Sequence, residues 1–221
     1  MCFSMQASFA TAAALSFVGC LALKDAQARL RPIAAIPLLF ALQQMFEGVV
    51  WWTTTLNRGH TISTLHLMAV YGFLFFAYLF WPAYIPITLH ALEPNRQRKK
   101  ALRVCIAAGI GVVLISIFSW LQYGVYAQVV DHHIVYANAI TSHLGSLYWI
   151  SLGMYLLATA GAFCTSSIRY MWLLGILVTG ACMVAHTWYQ TAFGSVWCFF
   201  AAIGSGIIYY VVTHATNRKD S

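Results

Sequence analysis

Residues 37–52 read PLLFALQQMFEGVVWW. One carboxylate, Glu47, stands in the middle of an apolar run, and no Lys or Arg lies within ten positions of it. The rest of the chain decides how that acid is read. Of the 221 residues, 61% are hydrophobic and 8% are charged. A soluble domain carries about 25% charged residues. A soluble core needs a polar shell, and there is too little charge here to make one. Lipid must cover much of the outside, so the sequence describes an integral membrane protein.

A helix needs about 20 apolar residues to cross the hydrocarbon. Seven runs qualify, roughly 4–23, 33–55, 64–91, 102–126, 141–164, 169–190 and 193–213. The expected fold is all-α: one polytopic transmembrane helix bundle of seven spans over residues 1–221. The first run, SMQASFATAAALSFVGCLAL (4–23), has no basic segment before it and reads as a span, not a signal peptide. Pro37 near the start of the second span, and Pro82 and Pro86 in the third, mark local breaks. The longest connection, AQVVDHHIVYANAI (127–140), reads as a loop.

Basic residues alternate between loops. Lys24, Arg29 and Arg31 follow the first span, Arg96, Arg98, Lys99 and Lys100 the third, and Arg169 the fifth. Arg218 and Lys219 lie in the tail, while the intervening loops hold only Arg58. The positive-inside rule then places the N-terminus outside and the C-terminus in the cytoplasm, in the cell's inner membrane. The net charge of +7 belongs to this orientation, and no nucleic-acid partner is expected.

With that topology Glu47 lies about 12 Å below the outer end of the second span. Gln43 and Trp51 share its face at i−4 and i+4, with Gln44 beside them. His66, His132, His133, His143 and His186 all fall in the outer part, as do Tyr189, Trp197 and Cys198. Only His90 and His214 lie at the inner side. This lopsided polarity reads as an outward-facing polar cavity around Glu47. Intramembrane ionisable groups usually mark function. The plain alternative is a protonated Glu47 that hydrogen-bonds a neighbouring helix as structural glue. Cys20, Cys105, Cys164 and Cys182 read as small core residues. Cys2 and Cys198 come near the oxidising face, where a disulfide and ordinary packing are both open.

Four stretches together resemble a family of small bacterial membrane proteins of unknown function. They are MCFS followed by QASF, PLLFALQQMFEGVVWW, YLLATAGAFCTSS (155–167) and SVWCFFAA (195–202). Cys2, Gln44, Glu47, Trp51, His133, Trp197 and Cys198 match that family's motifs. The resemblance runs nearly the whole chain and implies the bundle, but it brings no activity. Membrane hydrolases related to alkaline ceramidases fit poorly, because the last span has no histidine except His214 at its far end. A retinal protein is disfavoured because that span has no lysine.

Two function classes stand level on the residues alone. In the first, a metal-assisted membrane enzyme, His66, His143 and His186 with His133 or His132 hold a divalent metal such as zinc, and Glu47 is base or ligand. The second is a proton-coupled transporter or binding protein for a small-molecule or lipid ligand. There Glu47 exchanges a proton, and Gln43, Gln44, Trp51, Trp120, Tyr189, Trp197 and Cys198 line the ligand. A haem protein ligated by His66 and His186 is a further option.

Overall fold

The computed structural model describes residues 4–56, 63–130, 133–137, 145–188, 196–197, 200, 202 and 204–216. Among the described residues seven helices are followed: α1 (Met5–Asp25), α2 (Ala28–Thr55), α3 (Thr64–Leu92), α4 (Arg96–Tyr123), α5 (Leu147–Thr165), α6 (Met171–Trp188) and α7 (Ser205–Thr216). The first six are long and apolar enough to cross a membrane. Phe17, Leu114, Phe118, Leu121, Ile176 and Met183 are turned outward. In water such a surface would drive aggregation; against lipid tails it is the expected exterior. The chain is a multi-pass membrane protein with an all-α bundle.

Local chemistry sets the helix ends. Ser4 caps α1 by accepting from the Ala7 N–H, and Ser63 caps α3 by accepting from His66 N–H. Asn95 caps α4 by accepting from the N–H groups of Gln97 and Arg98. That cap moves the start of α4 to Arg96, six residues before the apolar run begins at 102. The basic RQRKK segment is helical because its side chains reach water beyond the hydrocarbon.

The helices pack as neighbours in chain order, and α7 closes the ring against α1, α2 and α6. Gly48 of α2 lies against the ring of Phe9, and Gly72 of α3 against the ring of Phe46. The approach of α3 to α4 is tighter still: a Cβ on Gly109 would sit 1.9 Å from the carbonyl oxygen of Pro82. Two helices carry a π turn, Phe75–Phe80 in α3 and Leu157–Gly161 in α5. The first ends just before the Trp81–Pro82 step. Proline has no N–H to give the preceding turn, and the wider turn accommodates the loss.

The stretch 127–140 is not an unstructured loop. Two antiparallel strands, β1 (Tyr126–Val130) and β2 (His133–Ala137), pair with Val130 opposite His133. Ile134 is buried, and the Tyr136 ring stacks on Phe73 at 4.6 Å. With Val125, they cover Val50, Trp51, Val70 and Leu74 in a small apolar cluster. The hairpin therefore lies over one end of the bundle.

The opposite, basic end is tied by polar contacts between connections. Arg98 donates to the carbonyls of Thr165 and Ser166, Arg29 to the carbonyl of Leu92, and Tyr209 to Asp25. Glu93 is buried there and accepts from the N–H of Ser167 at 2.8 Å and of Asn95 at 3.1 Å. Burial opposes its ionisation. The N–H groups of Ser167 and Asn95, the Ser167 hydroxyl and the Arg98 charge outweigh that and hold its carboxyl below the ordinary range.

Such a group stabilises the fold above its unfolded value, about 4.3, and the contribution is lost as pH falls through the lowered folded value. Glu93→Gln is expected to cost about 1–2 kcal/mol at neutral pH. Thermal unfolding in detergent checks this. The gap between variant and wild type should close as the pH is taken below about 4. A gap that stays constant with pH would show that the charge is irrelevant.

Candidate functional site

The site grows from one face of α2. Gln43, Gln44 and Glu47 are each 0% exposed, and Trp51 one turn further is buried with them. The spacing i, i+1, i+4 and i+8 keeps all four on one side of a 3.6-residue helix. Gln44 Nε2 donates to Glu47 Oε2 at 3.1 Å. Gln43 Oε1 accepts from the Trp81 indole of α3 at 2.7 Å. Gln43 Nε2, Gln44 Oε1 and the Trp51 indole N–H are buried without a partner among the described residues.

More polar groups stand at the same depth. Pro82 meets Gly109 and Tyr71 meets Trp120, so one antiparallel register joins α3 to α4. That register sets Ser116 and Ser119 of α4 level with Gly72–Phe75, and Gly72 touches Phe46, the neighbour of Glu47. On α1, Phe9 touches Gly48, which brings Ser8 to this level as well. Ser8, Ser116 and Ser119 are each 1% exposed, and their hydroxyls have no described partner. At this depth the described residues thus bring together an acid, two amides and three hydroxyls. A buried polar group without a partner costs about 1–3 kcal/mol, and several at one depth are a sign of a site.

The expected site residues fall into separate places. Trp120 packs against the cluster beneath the hairpin, edge to face with Tyr71. Trp197 donates to the carbonyl of Val178, lies 4.8 Å from the Tyr155 ring, and lines a cavity further toward the basic end. His66 is bonded through Nδ1 to Thr53 at 2.9 Å, six residues past Glu47 or about 9 Å along α2. His186 lies beside Trp149 and Tyr148, with ring centroids at 5.0 and 6.4 Å. Tyr189, His132, His143, Cys2 and Cys198 lie outside the described residues, as does the side chain of His133. Among the described residues no three His, Cys, Asp or Glu side chains converge to hold a metal ion.

The chain matches DUF6629, a family of unknown function, over residues 1–221. The chain belongs to this family. No curated protein and no solved structure matches it. Membership of DUF6629 therefore supplies no activity, and function has to be read from the residues.

Reading the sequence alone missed Ser8, Ser116, Ser119 and Trp81. Ser116 and Ser119 carried a usable signal, since i and i+3 in an apolar span share one face. Trp81 carried none, because a π turn directly before it changes the face it presents.

Proposed function

We propose that DUF6629 proteins of this kind bind a small cationic ligand at Glu47 and exchange it for a proton. The observation that carries this reading is the fully buried Gln43–Gln44–Glu47 face with two amide atoms unpartnered among the described residues. Removing a carboxylate from water costs more than removing the neutral acid. A cation beside it lifts that cost, so binding the cation releases the proton. The neighbours are amides, hydroxyls and indoles, which suit hydrogen bonding and cation–π contact better than metal ligation. This favours binding or proton-coupled transport over the metal-assisted enzyme. The metal reading rests on His133 and His143 together with His66 and His186. A calorimetric titration of the reconstituted protein with butylamine tests the proposal. Run in two buffers of different ionisation enthalpy, it should return about one proton released per amine bound at neutral pH. Binding with no proton released would sink the reading.

We also infer that the hairpin end faces outward and the basic end faces the cytoplasm. The support is the positive charge gathered on the connections at one end. A green fluorescent protein fused to the C-terminus is expected to fluoresce, and alkaline phosphatase fused there to stay inactive. The reverse pair of results would turn the molecule over.

A further inference from the structure

Trp81 belongs to two environments. Its N–H donates to Gln43 in the polar cluster, while its ring stacks on Phe40 at 4.1 Å and lines an apolar cavity. The cavity measures about 50 Å³ and is walled by α2, α3, α5, α6 and α7, through residues such as Ile85, Phe163, Leu174 and Val178. One water needs about 10–15 Å³ on the same kind of measure. The indoles of Trp81 and Trp197 and the hydroxyl of Thr159 all donate to protein oxygens already. The lining therefore suits hydrocarbon.

A second observation points to the same place. The π turn Phe75–Phe80 ends directly before Trp81, and the π turn Leu157–Gly161 contains Thr159. Such turns gather at functional sites. Each inserts one residue and so rotates the remainder of its helix by about 100°. Two helices use this device, and both aim a side chain into one cavity.

We propose that the polar cluster and the cavity are two halves of one site for a single-chain amphiphile with a protonated amine head. The head half rests on the role proposed for Glu47 as the partner of a cation; the chain half does not. The ammonium has three donors and no acceptor. Glu47 and Gln44 Oε1, which has no partner among the described residues, are acceptors one turn apart. The chain runs past Trp81 and Phe40, and the cavity takes a few of its methylenes.

The test uses the full chain in phosphatidylcholine nanodiscs, titrated with dibromo-octadecylamine and, separately, dibromostearic acid. Bromine quenches tryptophan fluorescence on contact. Trp52, Trp149, Trp172 and Trp188 face outward and report the bulk bilayer, while Trp81 and Trp197 report the cavity. The amine should give a saturable quench on top of a linear one, and Trp197→Phe should diminish only the saturable part. Val178→Phe fills the cavity and should abolish it; Thr159→Leu serves if that variant does not fold. The acid should bind at least about tenfold more weakly. Quenching that is only linear, or a saturable part that survives the filled cavity, overturns the proposal. If Glu47→Gln binds the amine at wild-type strength while the filled cavity does not, the head assignment falls and the joined site with it.

Discussion

Glu47→Gln is expected to fold like the wild type and to bind amines about 30-fold more weakly or worse. Glutamine has nearly the shape of glutamic acid and still offers an oxygen to Gln44 Nε2, so the buried face of α2 keeps its packing. What disappears is the one negative charge. Removing one partner of a buried, hydrogen-bonded charge pair costs about 2–5 kcal/mol, and 1.4 kcal/mol is a factor of ten. The proton release that accompanies butylamine binding should vanish with it. Glu47→Asp keeps the charge one methylene further back, so its affinity should fall less and its proton release should persist. Glu47→Leu separates shape from hydrogen bonding. It leaves Gln44 Nε2 buried without its acceptor, at about 1–3 kcal/mol of stability. The decisive comparison is calorimetry on wild type and Glu47→Gln side by side. Equal affinity and equal proton count would make Glu47 a hydrogen-bonded strut between helices.

The second large effect is expected far from any charge. Gly109→Ala would place a methyl group 1.9 Å from the Pro82 carbonyl oxygen. Backbone cannot step aside as a side chain can, so α3 and α4 must part. Overpacking of this kind costs about 3 kcal/mol, or about 6–12 °C in the unfolding midpoint for a chain of this size. Gly111→Ala is the control. Its new methyl would meet the end of Met154 at 2.1 Å, and a methionine terminus can swing to another rotamer. The two glycines are about one helical half-turn apart on α4. If both substitutions cost the same, the close approach of α3 to α4 is not what holds this part of the bundle. Because Pro82 follows Trp81, Gly109→Ala should also disturb the Trp81–Gln43 bond, and with it amine binding.

The fold was largely legible because hydrocarbon leaves few choices. Every backbone donor must be satisfied inside a span, so long apolar runs become helices whatever else they contain. The shared face of Gln43, Gln44 and Glu47 was legible for a similar reason, since helical spacing alone puts them together. Three things were not legible. The strands of the hairpin are separated in sequence by Asp131 and His132, which lack the Asn-Gly or Asp-Gly signal of a tight turn. Trp197 was placed only by depth, which named neither Val178, to which its indole donates, nor Tyr155, whose ring it faces. Depth along a span does not fix the direction in which a side chain points. The serines of α1 and α4 looked like ordinary small residues until the packing register set them at one level.

The π turn of α3 also fixes a length. It carries one residue more than the α-turn it replaces, so loss of any one residue among Phe75–Phe80 would leave a helix with its ladder intact. The α-turn that remains would keep Trp81–Leu92 in register with Thr64–Leu74, because the π turn is what absorbs the extra residue. A residue added there would have no further bulge to absorb it, and Trp81 would swing by about 100° away from Gln43 and Phe40. This segment should therefore tolerate a one-residue deletion far better than a one-residue insertion.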